Sequence, residues 1–288
     1  MKILISGATG FIGSRLIPKL SKSYKIFAIT REVYKNLNPR VNWIKQDLAQ
    51  PLDYSKFPKK LDSIIHLAQS RHYKNFPEKA HDIFDVNIKG TFNLLEYGRK
   101  IGLKNFIFAS SGRIDDCGYE RLIKSTVSSL NFYLTSKYSA ELIIANYKNF
   151  FKTIVFRFFF VYGEGQRERL FPQLLDKIEK NKVITIIGKE GISINPIYVE
   201  DAIRVFEPAL VLPSSEIFDI AGDERINIKN LVLMMAQLMK KKTYIKHIGK
   251  ENPASLIGNN KRMKERLGIY PNVDLKAGIL RMINYEEK

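Results

Sequence analysis

Short apolar runs rich in β-branched residues recur through the first 160 residues and alternate with stretches whose apolar positions repeat at helical spacing. The runs predict strands at Lys2–Ser6, Lys25–Ile29, Val41–Lys45, Ser63–Leu67, Asn105–Ala109 and Lys152–Phe158. The helical spacing predicts helices over Ile12–Leu20, Ala80–Arg99 and Tyr133–Asn149. Strands alternating with helices imply βαβ units, and so a parallel, doubly wound sheet of the α/β class. After Tyr162 the texture changes to a loop rich in Gly, Glu and Arg, a helix over Leu170–Lys180, a strand at Val183–Ile187 and helices over Val199–Leu210 and Ile228–Lys241. There is no internal repeat and no Pro- or Gly-rich linker. The pattern predicts one domain over residues 1–160 and, over 161–288, a smaller substrate-binding lobe partly interleaved with it.

Composition changes little in this picture: 45% hydrophobic and 26% charged residues suit an ordered globular chain. The most apolar internal segment, Thr153–Tyr162, contains Arg157 and is far shorter than the roughly 20 residues that cross a bilayer, so no membrane partner is expected. The first residues run directly into a strand and a glycine turn without the pattern of a signal peptide, which predicts a cytoplasmic protein. Cys117, the single cysteine, excludes an intrachain disulfide and any thiolate cluster, and no metal site is expected. A net charge of +18 raises the question of nucleic acid. The lysines are scattered in short clusters such as Lys59–Lys60 and Lys240–Lys242 rather than blocked, so the field is expected to draw anionic cofactors and substrates instead.

Gly7-Ala8-Thr9-Gly10-Phe11-Ile12-Gly13 follows the first strand and opens the first helix, the context in which a dinucleotide-binding turn operates. One glycine permits the tight turn, one lets backbone approach a pyrophosphate, and one lets helix pack closely on strand, with the helix N-terminus facing negative charge. Taken alone, a glycine triplet is also an ordinary strand-to-helix turn. The second strand ends in Thr30-Arg31-Glu32, where Arg31 favours a 2′-phosphate and thus NADP over NAD, while Glu32 keeps that preference modest. Asp47, closing the third strand, is a candidate acceptor for the adenine amino group or an ordinary strand-end carboxylate. In Tyr133-Leu134-Thr135-Ser136-Lys137 a four-residue spacing puts the phenol and the ammonium on one helix face, with Cβ atoms about 5–6 Å apart. A nearby ammonium stabilises a phenolate, which brings a tyrosine with an ordinary pKa of about 10 toward use as an acid/base near neutrality. Ser111, at the end of the fifth strand, is placed to hold a substrate oxygen beside that phenol.

With these residues in view, the chain resembles the extended short-chain dehydrogenase/reductases, the NAD-dependent epimerase/dehydratase family, nearly end to end. The motifs are the glycine turn, Ile65-His66-Leu67-Ala68-Gln69, Val86 through Glu96, Tyr133 with Lys137, Arg157 through Gly163, Tyr198-Val199-Glu200-Asp201 and Lys264 through Gly268. The resemblance implies a Rossmann-type fold and a catalytic set of Ser111, Tyr133 and Lys137. It implies a cofactor, NAD or NADP, lined by Gly7, Gly10, Phe11, Ile12, Gly13, Arg31, Asp47, Leu48, Leu67, Ala68, Gln69, Asn87, Tyr133, Lys137 and Phe158, with Arg71 near the pyrophosphate. His66, flanked by apolar strand residues, reads as a core residue without chemistry.

The chain also departs from the family. Gly112-Arg113 stands where dehydratases carry an Asp-Glu pair, which argues against a 4,6-dehydratase. Phe160 replaces a sugar-nucleotide-binding asparagine, and Ile194-Asn195-Pro196 stands where an arginine is usual. Arg113 and Arg167, with Arg169, are the candidate replacements for that anion clamp. The expected function is an NAD(P)-dependent epimerase or 4-keto reductase acting on a nucleotide-activated sugar, in a homodimer paired through Ala80–Arg99 and Tyr133–Asn149. The rival reading is a non-catalytic redox sensor or RNA-binding protein on the same scaffold.

Overall fold

The structure, a computed structural model, describes residues 1–32, 38–112, 114 and 129–286. The chain forms two compact units, one of Met1–Arg157 with Phe206–Phe218 and one of Phe158–Val205 with Asp219–Lys288. No helix among the described residues is long and apolar enough to cross a membrane.

The first unit is laid out as β1 (Lys2–Ser6), α1 (Gly13–Leu20), β2 (Lys25–Thr30), β3 (Asn42–Lys45), β4 (Ser63–His66), α2 (Ala80–Phe84), α3 (Gly90–Lys100), β5 (Asn105–Ser111), α4 (Ser129–Ala145) and β6 (Lys152–Phe158). The central sheet has seven strands, and β1 through β6 lie in the order β6-β5-β4-β1-β2-β3. Its remaining edge strand, Glu216–Ile220, joins beside β6 from much later in the sequence. Pairings among β1 to β5 are parallel. The winding therefore reverses at β1, which touches β2 on one side and β4 on the other, and ligands of such sheets settle outside the carboxyl ends of the strands at that reversal. Ser6 lies in register with His66, so the turns after β1 and β4 leave the sheet side by side. One face of the sheet buries Leu4, Ile64, Phe106 and Phe108 against Leu94 and Leu95 of α3 and Ala140 and Ile144 of α4.

The predicted helix over Ala80–Arg99 is interrupted. Between α2 and α3, Asp85–Lys89 forms a π-turn in which the Gly90 N–H bonds back five residues to the Asp85 carbonyl. The predicted helix from Tyr133 begins one turn earlier, at Ser129, and ends at Ala145. Val199–Leu210 is two helices, α6 (Val199–Arg204) and, in the first unit, α7 (Phe206–Ala209). Pro208 has no N–H to give the Arg204 carbonyl, so the helical ladder cannot run through.

The second unit contains β7 (Val161–Tyr162), α5 (Leu170–Glu179), β8 (Val183–Ile187), β9 (Ser193–Ile194), β10 (Ile197–Tyr198) and α6. After the edge strand β11 (Glu216–Ile220) come β12 (Ile226–Asn227), α8 (Ile228–Leu238), β13 (Tyr244–Ile248), α9 (Lys261–Leu267) and α10 (Leu275–Glu286). Three two-stranded ribbons, β7/β10, β8/β13 and β9/β12, surround a core of Phe171, Leu175, Ile184, Ile186, Leu231 and Met235. The Asn227 side chain caps α8 by accepting from the Asn230 N–H at 2.8 Å.

Candidate active site

The glycine turn is built by protein contacts at two of its glycines and left open at the third. Gly7 has φ +69°, and a Cβ there would sit 2.6 Å from the Ala68 nitrogen. A Cβ on Gly13 would sit 2.3 Å from the Gly7 carbonyl oxygen, so only glycine lets α1 seat against the turn. At Gly10, which is exposed, a Cβ would meet only the Gly7 oxygen, at 3.1 Å. That open side fits a pyrophosphate approaching backbone and the start of α1. Phe11 and Ile12 are half-buried on the same turn, with the Arg15 guanidinium 4.4 Å above the Phe11 ring. Arg31 is exposed just past β2, where the Thr30 hydroxyl bonds the Glu32 carbonyl at 2.7 Å. Asp47 caps its own turn, accepting from the Ala49 N–H at 3.0 Å, and Leu48 is buried in the core under Gly90.

The loop leaving β4 carries most of the remaining candidates. Leu67 bonds the Ser6 carbonyl at 3.1 Å, Leu67 and Ala68 are half-buried, and Arg71 is exposed. Gln69 accepts the Tyr133 hydroxyl at 3.1 Å. The next N–H, of Ser70, donates to Asn87 Oδ1 at 2.8 Å, and Asn87 Nδ2 donates to the Ser136 hydroxyl at 2.9 Å. Asn87 is almost fully buried in the π-turn, so its amide ties the β4 loop to α4 between Tyr133 and Lys137.

A second buried chain lies beneath it, and its direction can be assigned. The Thr91 hydroxyl donates to the Asn87 carbonyl at 2.6 Å, so at 2.9 Å it accepts from His66 Nε2–H. His66 Nδ1 is then bare and accepts the Ser6 hydroxyl at 2.5 Å, while Ser6 Oγ accepts the Ala68 N–H at 3.4 Å. Complete burial and, secondarily, the positive charge of Lys137 push the His66 pKa down to about 3, so the imidazole is neutral at pH 7. The reading of His66 as a core residue holds for its burial. It also links the glycine turn, the β4 loop and the π-turn.

Helix α4 directs three residues inward at intervals of four. Tyr133 packs against Tyr73, with ring centroids 5.4 Å apart. The Lys137 side chain is buried, with Nζ donating to the Ala109 carbonyl at 2.9 Å and lying 4.7 Å from the Phe108 ring centroid. Glu141 receives Nη2 of Arg157 at 2.8 Å and Nε at 3.2 Å, anchoring the helix to β6. Ser111 is half-buried at the carboxyl end of β5, two residues beyond the carbonyl that holds Lys137. Its neighbour Ser110 has a buried hydroxyl with no hydrogen-bond partner among the described residues, a polar atom free for a bound group.

The structure thus brings the glycine turn, Leu67 to Gln69, Asn87, Tyr133, Lys137 and the end of β5 into one linked set. The boundary between the units falls at the end of β6, so its last residue Phe158 is grouped with Phe160 and Arg167 in the second unit, where Phe160 adopts φ 45° and Arg167 is exposed. Arg113 and Cys117 lie outside the described residues. Ser6, Ser70, Thr91, Ser136 and Glu141 were not singled out from the sequence. The recurrence of polar residues four apart, Asn87/Thr91 and Lys137/Glu141, was the available signal.

A parallel sheet reversing at a glycine turn, with a tyrosine and a buried lysine one helical turn apart, defines a dinucleotide-binding enzyme of the extended short-chain dehydrogenase/reductase class. Residues 3–221 match the NAD dependent epimerase/dehydratase family, and the chain belongs to that family. An uncharacterized UDP-glucose epimerase of Bacillus subtilis, YtcB, is 29% identical, with 99% of this chain and 98% of that protein aligned. CDP-abequose synthase of Salmonella typhimurium is 27% identical over 96% of this chain and 95% of its own length. The crystal structure of UDP-glucuronic acid 4-epimerase from Bacillus cereus, in complex with UDP-glucuronic acid and NAD, superposes with a TM-score of 0.85 at 26% identity, covering 100% of this chain and 99% of that one.

Proposed function

We propose that this chain is a 4-epimerase of a nucleotide-activated sugar, with Ser111, Tyr133 and Lys137 as its catalytic residues. The observation that carries the reading is the buried ammonium of Lys137, fixed to the Ala109 carbonyl one helical turn from the Tyr133 phenol. A positive charge held in a low-dielectric site has one evident use on that helix face, which is to stabilise the phenolate of Tyr133. The names of the relatives, UDP-glucose epimerase and UDP-glucuronic acid 4-epimerase, support the substrate class.

The dinucleotide would be held by the glycine turn, the β4 loop and α4, and when bound it supplies a nicotinamide able to accept and return a hydride. Tyr133 takes the proton of the sugar hydroxyl as the carbon is oxidised and returns it on reduction. Ser111 orients the oxygen, and Lys137 keeps the phenol ionisable throughout. Gln69, which holds the Tyr133 hydroxyl here, is the group the sugar hydroxyl displaces. Arg31 gives an affinity for the 2′-phosphate of NADP, while the NAD in the Bacillus cereus structure favours NAD in the catalytic cycle. Phe160, Arg167 and Arg113 contribute to the sugar-nucleotide site. The exposed Phe84, Phe92 and Leu142 on α2, α3 and α4 supply the apolar contacts of a homodimer.

The test is turnover of UDP-glucose and UDP-glucuronic acid by the purified chain loaded with NAD. Wild type should interconvert the 4-epimers without net cofactor consumption, and Tyr133→Phe should lose at least about a thousandfold in kcat while binding NAD unchanged. Full activity in Tyr133→Phe refutes the assigned role, and stoichiometric consumption of reduced cofactor replaces the epimerase with a reductase.

A further inference from the structure

We propose that the β8/β13 ribbon of the second unit is a docking surface for an anionic lipid bilayer, on which the protein lies without spanning it. In β8 the side chains alternate, with Ile184 and Ile186 in the core and Val183, Thr185 and Ile187 facing out. The parallel register places Tyr244 beside Val183, Lys246 beside Thr185 and Ile248 beside Ile187. Four of the six outward residues are therefore apolar or aromatic, and each is 44–54% exposed. A sheet face meant only for water carries polar residues at such positions.

Charge surrounds this face. Segments 176–190 and 240–251 hold nine lysines against one aspartate, three glutamates and no arginine, a net +5 of the +18 carried by the whole chain. Lys182 and Lys242 lie before the two strands, Lys189 and Lys250 beyond them, and Lys246 in the middle of the face. All five are exposed and none has an ion pair among the described residues, whereas Lys180 and Lys241 are paired to Asp176 and Glu179. Lysine on an edge strand can serve simply to block strand addition. That accounts for Lys246 but not for the outward valine, isoleucines and tyrosine, nor for lysines beyond both ends of both strands.

Complementarity selects the occupant. A second copy would bring like charge against like charge. Nucleic-acid backbones offer no partner to exposed valine and isoleucine, and their readers favour arginine and stacked aromatics. An anionic bilayer surface satisfies both parts: lipid phosphates meet the lysines, aliphatic side chains enter the boundary of the acyl region, and tyrosine sits at headgroup level. Such docking departs from the expectation of no membrane partner, which rests on the lack of a segment long enough to span a bilayer and does not weigh surface binding.

The experiment is cosedimentation of the full chain with vesicles of phosphatidylcholine alone or mixed with phosphatidylglycerol. Binding is expected only to the mixed vesicles, with release at high salt. A lysine near such a surface contributes about a fivefold partition, so Lys182→Glu/Lys242→Glu/Lys246→Glu should lower partitioning by more than about a hundredfold. Val183→Ser/Tyr244→Ser, which leaves every charge in place, should lower it by at least about fivefold. Unchanged circular dichroism and dinucleotide binding in both variants show that folding is intact, and the corresponding Lys→Gln triple variant repeats the test without adding acid. Equal sedimentation with neutral vesicles, indifference to the lysine substitutions, or indifference to Val183→Ser/Tyr244→Ser each overturns the proposal. Preferential displacement by a DNA duplex at equal phosphate concentration overturns it in favour of nucleic acid.

Discussion

The fully buried His66 makes folding stability sensitive to acid in a way that can be isolated. In the unfolded chain a histidine titrates near 6.5, whereas in the fold burial and the charge of Lys137 hold it at about 3. As pH falls the unfolded state binds the proton first, so stability is complete above about 6.5 and drains away between there and about 3. One proton corresponds to about 1.4 kcal/mol per pH unit, so between pH 7 and pH 5 this single group removes about 2 kcal/mol. His66→Gln cannot titrate, though it disturbs the Ser6 and Thr91 hydrogen bonds and lowers stability at every pH. The informative quantity is therefore the slope. Urea denaturation of wild type and His66→Gln at pH 7, 6 and 5 should show the two stabilities converging by about 2 kcal/mol at the acid end. Parallel pH profiles would refute the reasoning, since they would mean that His66 is already protonated in the fold or is hydrated.

The two kinds of glycine in the turn should separate in mutagenesis. Gly13→Ala drives a Cβ into the Gly7 carbonyl and should cost about 1–3 kcal/mol of stability by thermal unfolding. Gly10→Ala meets only the Gly7 carbonyl oxygen, at 3.1 Å, and should lower the melting temperature less than Gly13→Ala while weakening dinucleotide binding about tenfold in calorimetry. Glu141→Gln removes the carboxylate charge facing the largely buried Arg157 and should cost about 2–3 kcal/mol in urea, much of which Glu141→Leu/Arg157→Met recovers. Arg31→Ala should weaken NADP binding about tenfold and NAD binding by less than about twofold in fluorescence titration.

The division between what was legible in the residues and what was not follows interaction range. Alternating apolar runs and helical spacing identify βαβ units because a strand repeats every two residues and a helix every 3.6 or so. Gly7, Gly10 and Gly13, and the four-residue spacing of Tyr133 and Lys137, stand out for the same reason: each motif completes its geometry within one or two turns of chain. Even here context intervened. The helix over Ala80–Arg99 conceals a π-turn, because the side-chain pattern does not record an added residue absorbed by the Asn87 and Thr91 hydrogen bonds.

What makes the site a unit was decided by folding. Lys137 meets a carbonyl 28 residues away, Tyr133 an amide 64 residues away and Ser6 an imidazole 60 residues away. Glu216–Ile220 completes a sheet begun two hundred residues earlier, and the outward apolar face of the ribbon exists only because Tyr244 comes to lie beside Val183. No periodicity encodes such pairings. They arise because the sheet, once formed, leaves buried donors and acceptors that must find partners wherever the chain next passes, and that demand is imposed by burial rather than by spacing.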